Sequence, residues 1–161
     1  MTRPNAFDAD FSGGADNRDP DGYRGVELPF GKAAGGKDLI VRLFELPKDQ
    51  TLCPYHYEYV EEWLLVMTGE LQVRTPDGVS VARAGDVACF PVGPAGAHNV
   101  WNVRDEPARF VMFSSAVTPS VAVYPDSGKV GVWTSEERDH WMFRAADAQV
   151  DYYDGELPPR H

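Results

Sequence analysis

The sequence predicts an all-β domain, a sandwich or a barrel. Three observations carry this. Short runs rich in β-branched and aromatic residues recur from Lys37 to Trp133. A turn signal separates most neighbouring runs. No amphipathic helix of useful length interrupts them.

The elements follow in order. Residues 1–24 are rich in Gly, Asp, Asn and Pro and read as an arm that docks on the domain or stays mobile. The barrel reads as residues 25–133. DLIVRLFELP is a strand that Pro47 ends. Within WLLVMTGELQVRTPDGVSVARAGDVACFP, turns fall at Thr68-Gly69-Glu70, Thr75-Pro76-Asp77-Gly78 and Ala84-Gly85-Asp86. In the second of these Pro sets φ and Gly permits positive φ. The loop VGPAGA precedes the strands HNVWNV, ARFVMFSSAV and VAVYP. VGPAGA follows a strand but opens no helix, so its glycines read as a tight turn and not as a phosphate cradle. Residues 134–161 form a tail expected to pack on the barrel, with Thr134-Ser135-Glu136-Glu137 capping a short helix through HWMFR.

Charge and cysteine usage exclude several classes. The 161 residues carry a net charge of -10, with 15 basic against 25 acidic side chains. Duplex binding needs clustered Lys and Arg, and here they are scattered, so nucleic acid is not expected. An acidic membrane surface would repel the chain, and no window approaches a membrane span. Cys53 and Cys89 match no CxxC motif and no disulfide framework, so both read as reduced, packed cysteines. The N-terminus has no apolar stretch of signal-peptide type, and a cytoplasmic location is expected.

The chemistry concentrates in PYHYEYVEEW, residues 54–63. In a period-2 strand, His56, Glu58 and Glu62 share one face, and Glu61 faces away. Tyr55, Tyr57, Tyr59, Trp63 and Trp101 take the outer parity, where sheet packing or subunit contact explains them. Leu64 and Val66 continue the inward face and are expected to wall the cavity. A second cluster lies in GDVACFPVGPAGAHNVWN, where His98, Val100 and Asn102 share a strand face. Asn102 reads as fixing a turn or orienting His98. A barrel can bring His56, Glu58, Glu62 and His98 to one interior point. Burying unpaired carboxylates there is costly, and a divalent cation offsets it. Mixed imidazole and carboxylate ligands suit Zn, Fe, Mn, Ni or Co. Glu58 reads equally as a fourth ligand or as an outward carboxylate. Arg42, Gln72, Arg74 and Tyr124 are within reach of a pocket but are not separable on sequence. His140 reads as packed or exposed, and His161 as disordered.

These two clusters resemble the paired motifs of the cupin superfamily, in particular small single-domain bacterial cupins. The first motif, G-x5-H-x-H-x3,4-E-x6-G, is matched by His56, Glu58 in place of the second His, Glu62 and Gly69. The second, G-x5-P-x-G-x2-H-x3-N, is matched by Gly85, Pro91, Gly93, His98 and Asn102, with two extra residues before the histidine. Gln50 stands where the first glycine would fall. The resemblance implies a double-stranded β-helix, or jelly roll, with one divalent metal ion. It implies isomerase, lyase, decarboxylase or dioxygenase activity.

Glu58 makes the site more negative than three histidines and one glutamate would. That favours non-redox isomerase or lyase chemistry on a small polar metabolite, sugar- or keto-acid-like. Glu58 or Glu62, if free of the metal, would shuttle a proton. A non-catalytic small-ligand-binding barrel is the alternative. A third reading is an Fe(II)/2-oxoglutarate-type oxygenase, with His56, Glu58 and His98 as a facial triad and Arg109 as the acid-binding arginine. The outer aromatic parity suggests a homodimer.

Overall fold

In a computed structural model of the protein, residues 3–14, 19–135 and 140–156 are described. The strands are β1 (Val26–Leu28), β2 (Leu39–Leu46), β3 (Gln50–Thr51), β4 (Tyr57–Glu58), β5 (Glu62–Thr68), β6 (Glu70–Thr75) and β7 (Gly78–Arg83). They continue as β8 (Val87–Phe90), β9 (Asn99–Asn102), β10 (Ala108–Ser115), β11 (Ser120–Tyr124), β12 (Lys129–Trp133) and β13 (Trp141–Arg144). Helix α1 (Phe30–Ala34) and helix α2 (Ala145–Ala148) are one turn each. The all-β expectation holds.

The strands form three antiparallel sheets, ordered β1-β2-β10-β5-β8, β3-β9-β6-β7 and β13-β12-β11-β4. The predicted turns at Gly69, Gly78 and Gly85 all join neighbouring elements, and each glycine has positive φ. At Gly69 a side chain is excluded twice over. Its φ is 79°, and a Cβ would sit 2.9 Å from the Ala108 Cα.

The first two sheets face each other across the core. Phe44, Leu46, Phe110 and Met112 come from one sheet, and Leu71, Val73 and Val100 from the other. Phe44 and Phe110 stack with ring centroids 5.3 Å apart. Along β10 the alternation is strict: Ala108, Phe110 and Met112 are buried, while Arg109, Val111 and Phe113 are less so.

The N-terminal arm docks on this frame. Phe11 is buried and lies under the Arg109 guanidinium, 4.7 Å from ring centroid to Cζ. The Thr51 N–H donates to the Gly22 carbonyl at 2.7 Å. Gln50, in place of the motif glycine, accepts from the Arg24 N–H through its side-chain oxygen. The left-handed residue of that turn is the neighbouring Asp49, at φ 60°, a conformation Asp tolerates better than most side chains.

The tail departs from expectation. HWMFR forms no helix; its last four residues are β13, paired antiparallel to β12. Trp and Phe favour a pleated strand, and the free edge of β12 offers backbone partners. The short helix α2 comes only afterwards. Every residue from 140 to 156 is exposed, so β13 extends the sheet edge and no side chain of it is packed into the core. Glu136 and Glu137 of the proposed cap, and His161, lie outside the described residues. No helix among the described residues is long and apolar enough to cross a membrane.

Candidate metal centre

His56 and His98 are set by one short piece of backbone pairing. They form an isolated antiparallel bridge. The His98 N–H donates to the His56 carbonyl at 2.8 Å, and the His56 N–H donates back at 3.1 Å. Each imidazole then uses Nδ1 locally. His56 Nδ1 lies 3.0 Å from the Pro54 carbonyl, and His98 Nδ1 lies 2.9 Å from the Gly96 carbonyl. A carbonyl can only accept, so each Nδ1 carries the proton and each Nε2 keeps its lone pair.

Both lone pairs meet the Glu62 carboxylate. Its Oε2 is 3.7 Å from His56 Nε2 and 3.8 Å from His98 Nε2. These distances are too long for hydrogen bonds. The ligand atoms of His56, Glu62 and His98 all lie within 4.8 Å of one another. His98 is 1% exposed, and its Nε2 is buried with no hydrogen-bond partner. Such an orphan acceptor is costly, and a bound cation satisfies it.

Electrostatics agree. Burial, with His56 beside it, pushes His98 down to about 3, and burial also lowers His56. Both are therefore neutral imidazoles at pH 7, the form that binds metals. Burial, reinforced by Glu58 and opposed by Arg42, pushes Glu62 up to about 8. The cluster without metal is thus close to neutral, with one proton resting on Glu62.

The surrounding loop explains the placement. Pro94–Gly96 makes a single 3-10 turn. A Cβ on Gly96 would fall 1.7 Å from the Pro91 carbonyl oxygen, so only glycine fits. The Gly93 N–H ties this loop to β4 through the Glu58 carbonyl, and the Asn99 side chain donates to the Cys53 carbonyl. Phe90 stacks flat on His98, with centroids 3.7 Å apart and planes 5° apart. On the other side Tyr124 stacks on His56 at 5.8 Å.

The centre lies in a cavity of about 600 Å³ whose walls include Arg42, Glu58, Met112, Tyr124 and Trp133. The cupin domain family, Cupin_2, matches residues 42–114. That span covers β2 to β10 and both halves of the centre. The chain carries a cupin domain.

Solved structures agree on the cupin fold. A sugar phosphate isomerase from a cupin superfamily, from Silicibacter pomeroyi, is 24% identical with a TM-score of 0.73, covering 82% of each chain. A protein of Acidithiobacillus ferrooxidans, named provisionally as a sugar phosphate isomerase, is 22% identical with a TM-score of 0.72, covering 80% of this chain and 81% of that one. The polyketide cyclase RemF from Streptomyces resistomycificus is 18% identical with a TM-score of 0.60, covering 74% of this chain and 83% of that one. A comparison with curated proteins gives no significant match. The cupin likeness establishes the double-stranded β-helix. Cupins typically bind a metal, and this domain has a His/Glu/His group able to hold one.

Several sequence expectations change. PYHYEYVEEW is not one strand: β4 ends at Glu58, the chain bends, and β5 starts at Glu62 in a different sheet. His56 and Glu62 meet because the chain crosses between sheets. Glu58 lines the same cavity with Oε1 4.0 Å from His56 Nε2, outside the close group of three. Burial raises its pKa, and Arg42 opposes the rise. Leu64 and Val66 are buried in the core and do not line the cavity. Asn102 fixes a turn, donating to the Leu46 and Glu106 carbonyls and accepting from the Arg104 N–H. It does not touch His98.

Arg109 points away from the centre, pairing with Glu45 at 2.7 Å, so the arginine of the oxygenase reading is missing from the cavity. Of the four undecided residues, Arg42 and Tyr124 line it, whereas Arg74 pairs with Asp126 and covers Tyr55. Glu61 is a surface residue holding the Trp63 indole N–H. Both cysteines are free, but Cys89 is exposed where packing was expected. Cys53 lines the cavity with Sγ 3.5 Å from His56 Nδ1. Nothing in its spacing announced that.

Proposed function

We propose that the protein is a metal-dependent enzyme that converts a small polar metabolite, sugar- or keto-acid-like, by non-redox isomerase or lyase chemistry. One observation carries this reading: two imidazole lone pairs and one carboxylate oxygen converge with no hydrogen bond joining them, and one of the lone pairs is buried and unpartnered. A divalent cation held by His56, Glu62 and His98 would polarise a carbonyl oxygen of the bound compound. Zn, Fe, Mn, Ni and Co all suit that donor set.

The chain supplies the rest. Glu58 stands beside the group of three, partly shielded, with its carboxylate facing the cavity. It is placed to take a proton from the carbon next to that carbonyl and to return it. If Glu58 instead ligates the metal, the proton step passes to another group. Phe90 and Tyr124 hold the two imidazole rings by stacking, and Trp133 and Met112 supply apolar wall.

The test is a turnover screen of sugars, sugar phosphates and keto acids on protein loaded separately with Zn, Mn, Ni and Fe. Turnover in at least one metal form, lost in Glu58→Gln with metal retained, is the expected result. Tight binding of one compound without turnover in any form would make the barrel a binding module. The reading includes a homodimer in the cytoplasm. Tyr59 and the β13 residues Trp141, Met142 and Phe143 are exposed apolar groups that a second copy would cover. Light scattering at micromolar concentration checks this, and a monomer would refute it.

A further inference from the structure

The charge of the cavity walls bears on which metabolite enters, an inference that rests on the metal-enzyme reading above. Among the described residues, Arg42 is the only lysine or arginine that lines the cavity. Arg42 is not free: its guanidinium lies 3.3 Å from the Glu27 carboxylate, which lines the same cavity. Four carboxylates, Asp19, Glu27, Glu58 and Glu62, share the walls with it. Counted formally, a bound divalent cation still leaves one excess negative charge. A neutral Glu58 would bring that to balance but would not release Arg42.

A phosphate group needs donors that the described residues of this cavity do not offer. Phosphate sites use paired Arg or Lys donors, or the N–H groups at a helix N-terminus. The 3-10 turn beside His98, Pro94–Gly96, starts at a proline that has no N–H, its Gly96 N–H donates to the Gly93 carbonyl, and its Gly96 carbonyl is taken by His98 Nδ1. The whole chain also carries -10, which opposes the approach of anions. The other wall groups include hydroxyls and aromatic rings, among them Ser114, Ser120, Tyr124 and Trp133, beside apolar side chains and the His140 imidazole, whose Nε2 lies 3.2 Å from the Thr134 carbonyl. Hydroxyls donate and accept, and rings offer flat apolar area.

We infer that the cavity selects an uncharged polyhydroxy carbonyl compound, a free sugar, over its phosphate ester or a keto acid. Glu27 sets that selection by occupying Arg42. The sugar phosphate isomerases that share this fold are named for phosphorylated substrates, so the inference separates this chain from them.

Equilibrium binding measures it. The metal-loaded protein is titrated by calorimetry with an aldopentose, an aldohexose and a ketohexose, each beside its phosphate monoester, and with 2-oxoglutarate. Metal content is measured on the same samples. The expected result is that at least one free sugar binds tenfold or more tightly than its phosphate ester and than 2-oxoglutarate. Glu27→Gln, which removes the charge that offsets Arg42 at constant side-chain shape, should shrink that preference at least threefold. Tighter binding of a phosphate ester or of 2-oxoglutarate, lost in Arg42→Gln, would overturn the inference while leaving the metal centre standing. Failure of every free sugar to bind would overturn it as well. Absence of metal after reconstitution is a separate outcome. It sinks the enzyme reading, and the same titrations on metal-free protein still decide the preference.

Discussion

His56 and His98 are locked opposite each other by reciprocal backbone hydrogen bonds, and their rings stand 4.8 Å apart with planes tilted by 47°. Each donates Nδ1–H to the carbonyl two residues earlier. The same local device is used twice, so both Nε2 lone pairs face Glu62 by construction. A site built this way is organised before any cation arrives.

Metal content should therefore follow His98. Purified or reconstituted wild type is expected to hold about one equivalent of a divalent metal by elemental analysis. His98→Ala should lose it, with an affinity drop larger than the roughly 10–100-fold typical of removing an outer partner. Glu58→Gln separates three ligands from four. Retained metal makes Glu58 a bystander to binding, and a comparable loss makes it a ligand. A His98→Ala protein that keeps full metal would refute the centre.

Metal uptake should release a proton. At pH 7, Glu62 is mostly protonated, because burial and then Glu58 raise it to about 8 from 4.5. Binding of the ion at that pH should expel about one proton, read by calorimetry in buffers of different ionisation enthalpy.

Stability of the metal-free protein carries the same signature. The raised Glu62 contributes stability that is fully present below about pH 4.5 and is lost as pH rises through about 8. The depressed His98 contributes stability present above about pH 6.5 and lost as pH falls through about 3. Denaturant unfolding should thus show a maximum between roughly pH 4.5 and 6.5, with a fall toward pH 8 that added metal reverses. A flat profile from pH 5 to 9 would mean that Glu62 is not shifted.

Gly96→Ala should damage the centre without touching a ligand. The new Cβ cannot coexist with the Pro91 carbonyl 1.7 Å away, so the 3-10 turn must move. That displaces the oxygen that orients His98. A chelator competition assay should show metal affinity reduced about 10-fold or more, with the far-UV circular dichroism unchanged. Unaltered affinity would show that the Nδ1 contact is dispensable.

Arg109→Met should leave the centre alone. Arg109 is bound to Glu45 and covered by Phe11 on the outer side of β10. Metal content and ligand titrations should match wild type, while unfolding stability drops by about 1 kcal/mol or less, as for a partly exposed ion pair. Loss of 2-oxoglutarate binding in this variant would revive the oxygenase reading.

Much of this was legible in the chain. The alternation of short apolar runs with Gly-containing turns determined an all-β fold, because period-2 patterning and positive-φ glycines are local properties. The residue types and order of His56, Glu62 and His98 determined a candidate metal centre, because imidazoles and a carboxylate bound for an apolar interior need a common partner. Which face of each strand turns inward was a different matter. Arg42 and Arg109 both sit in strands between apolar neighbours, and nothing local separates them. Only the pairing of β2 with β10, and the closure of that sheet over the second one, sends Arg42 to the cavity and Arg109 to Phe11 and Glu45. The strand character of HWMFR likewise depended on a free edge at β12, which no short window contains. Strand pairing is a contact between residues far apart in sequence, and so the tertiary structure alone decided which cations, aromatics and hydroxyls surround the centre.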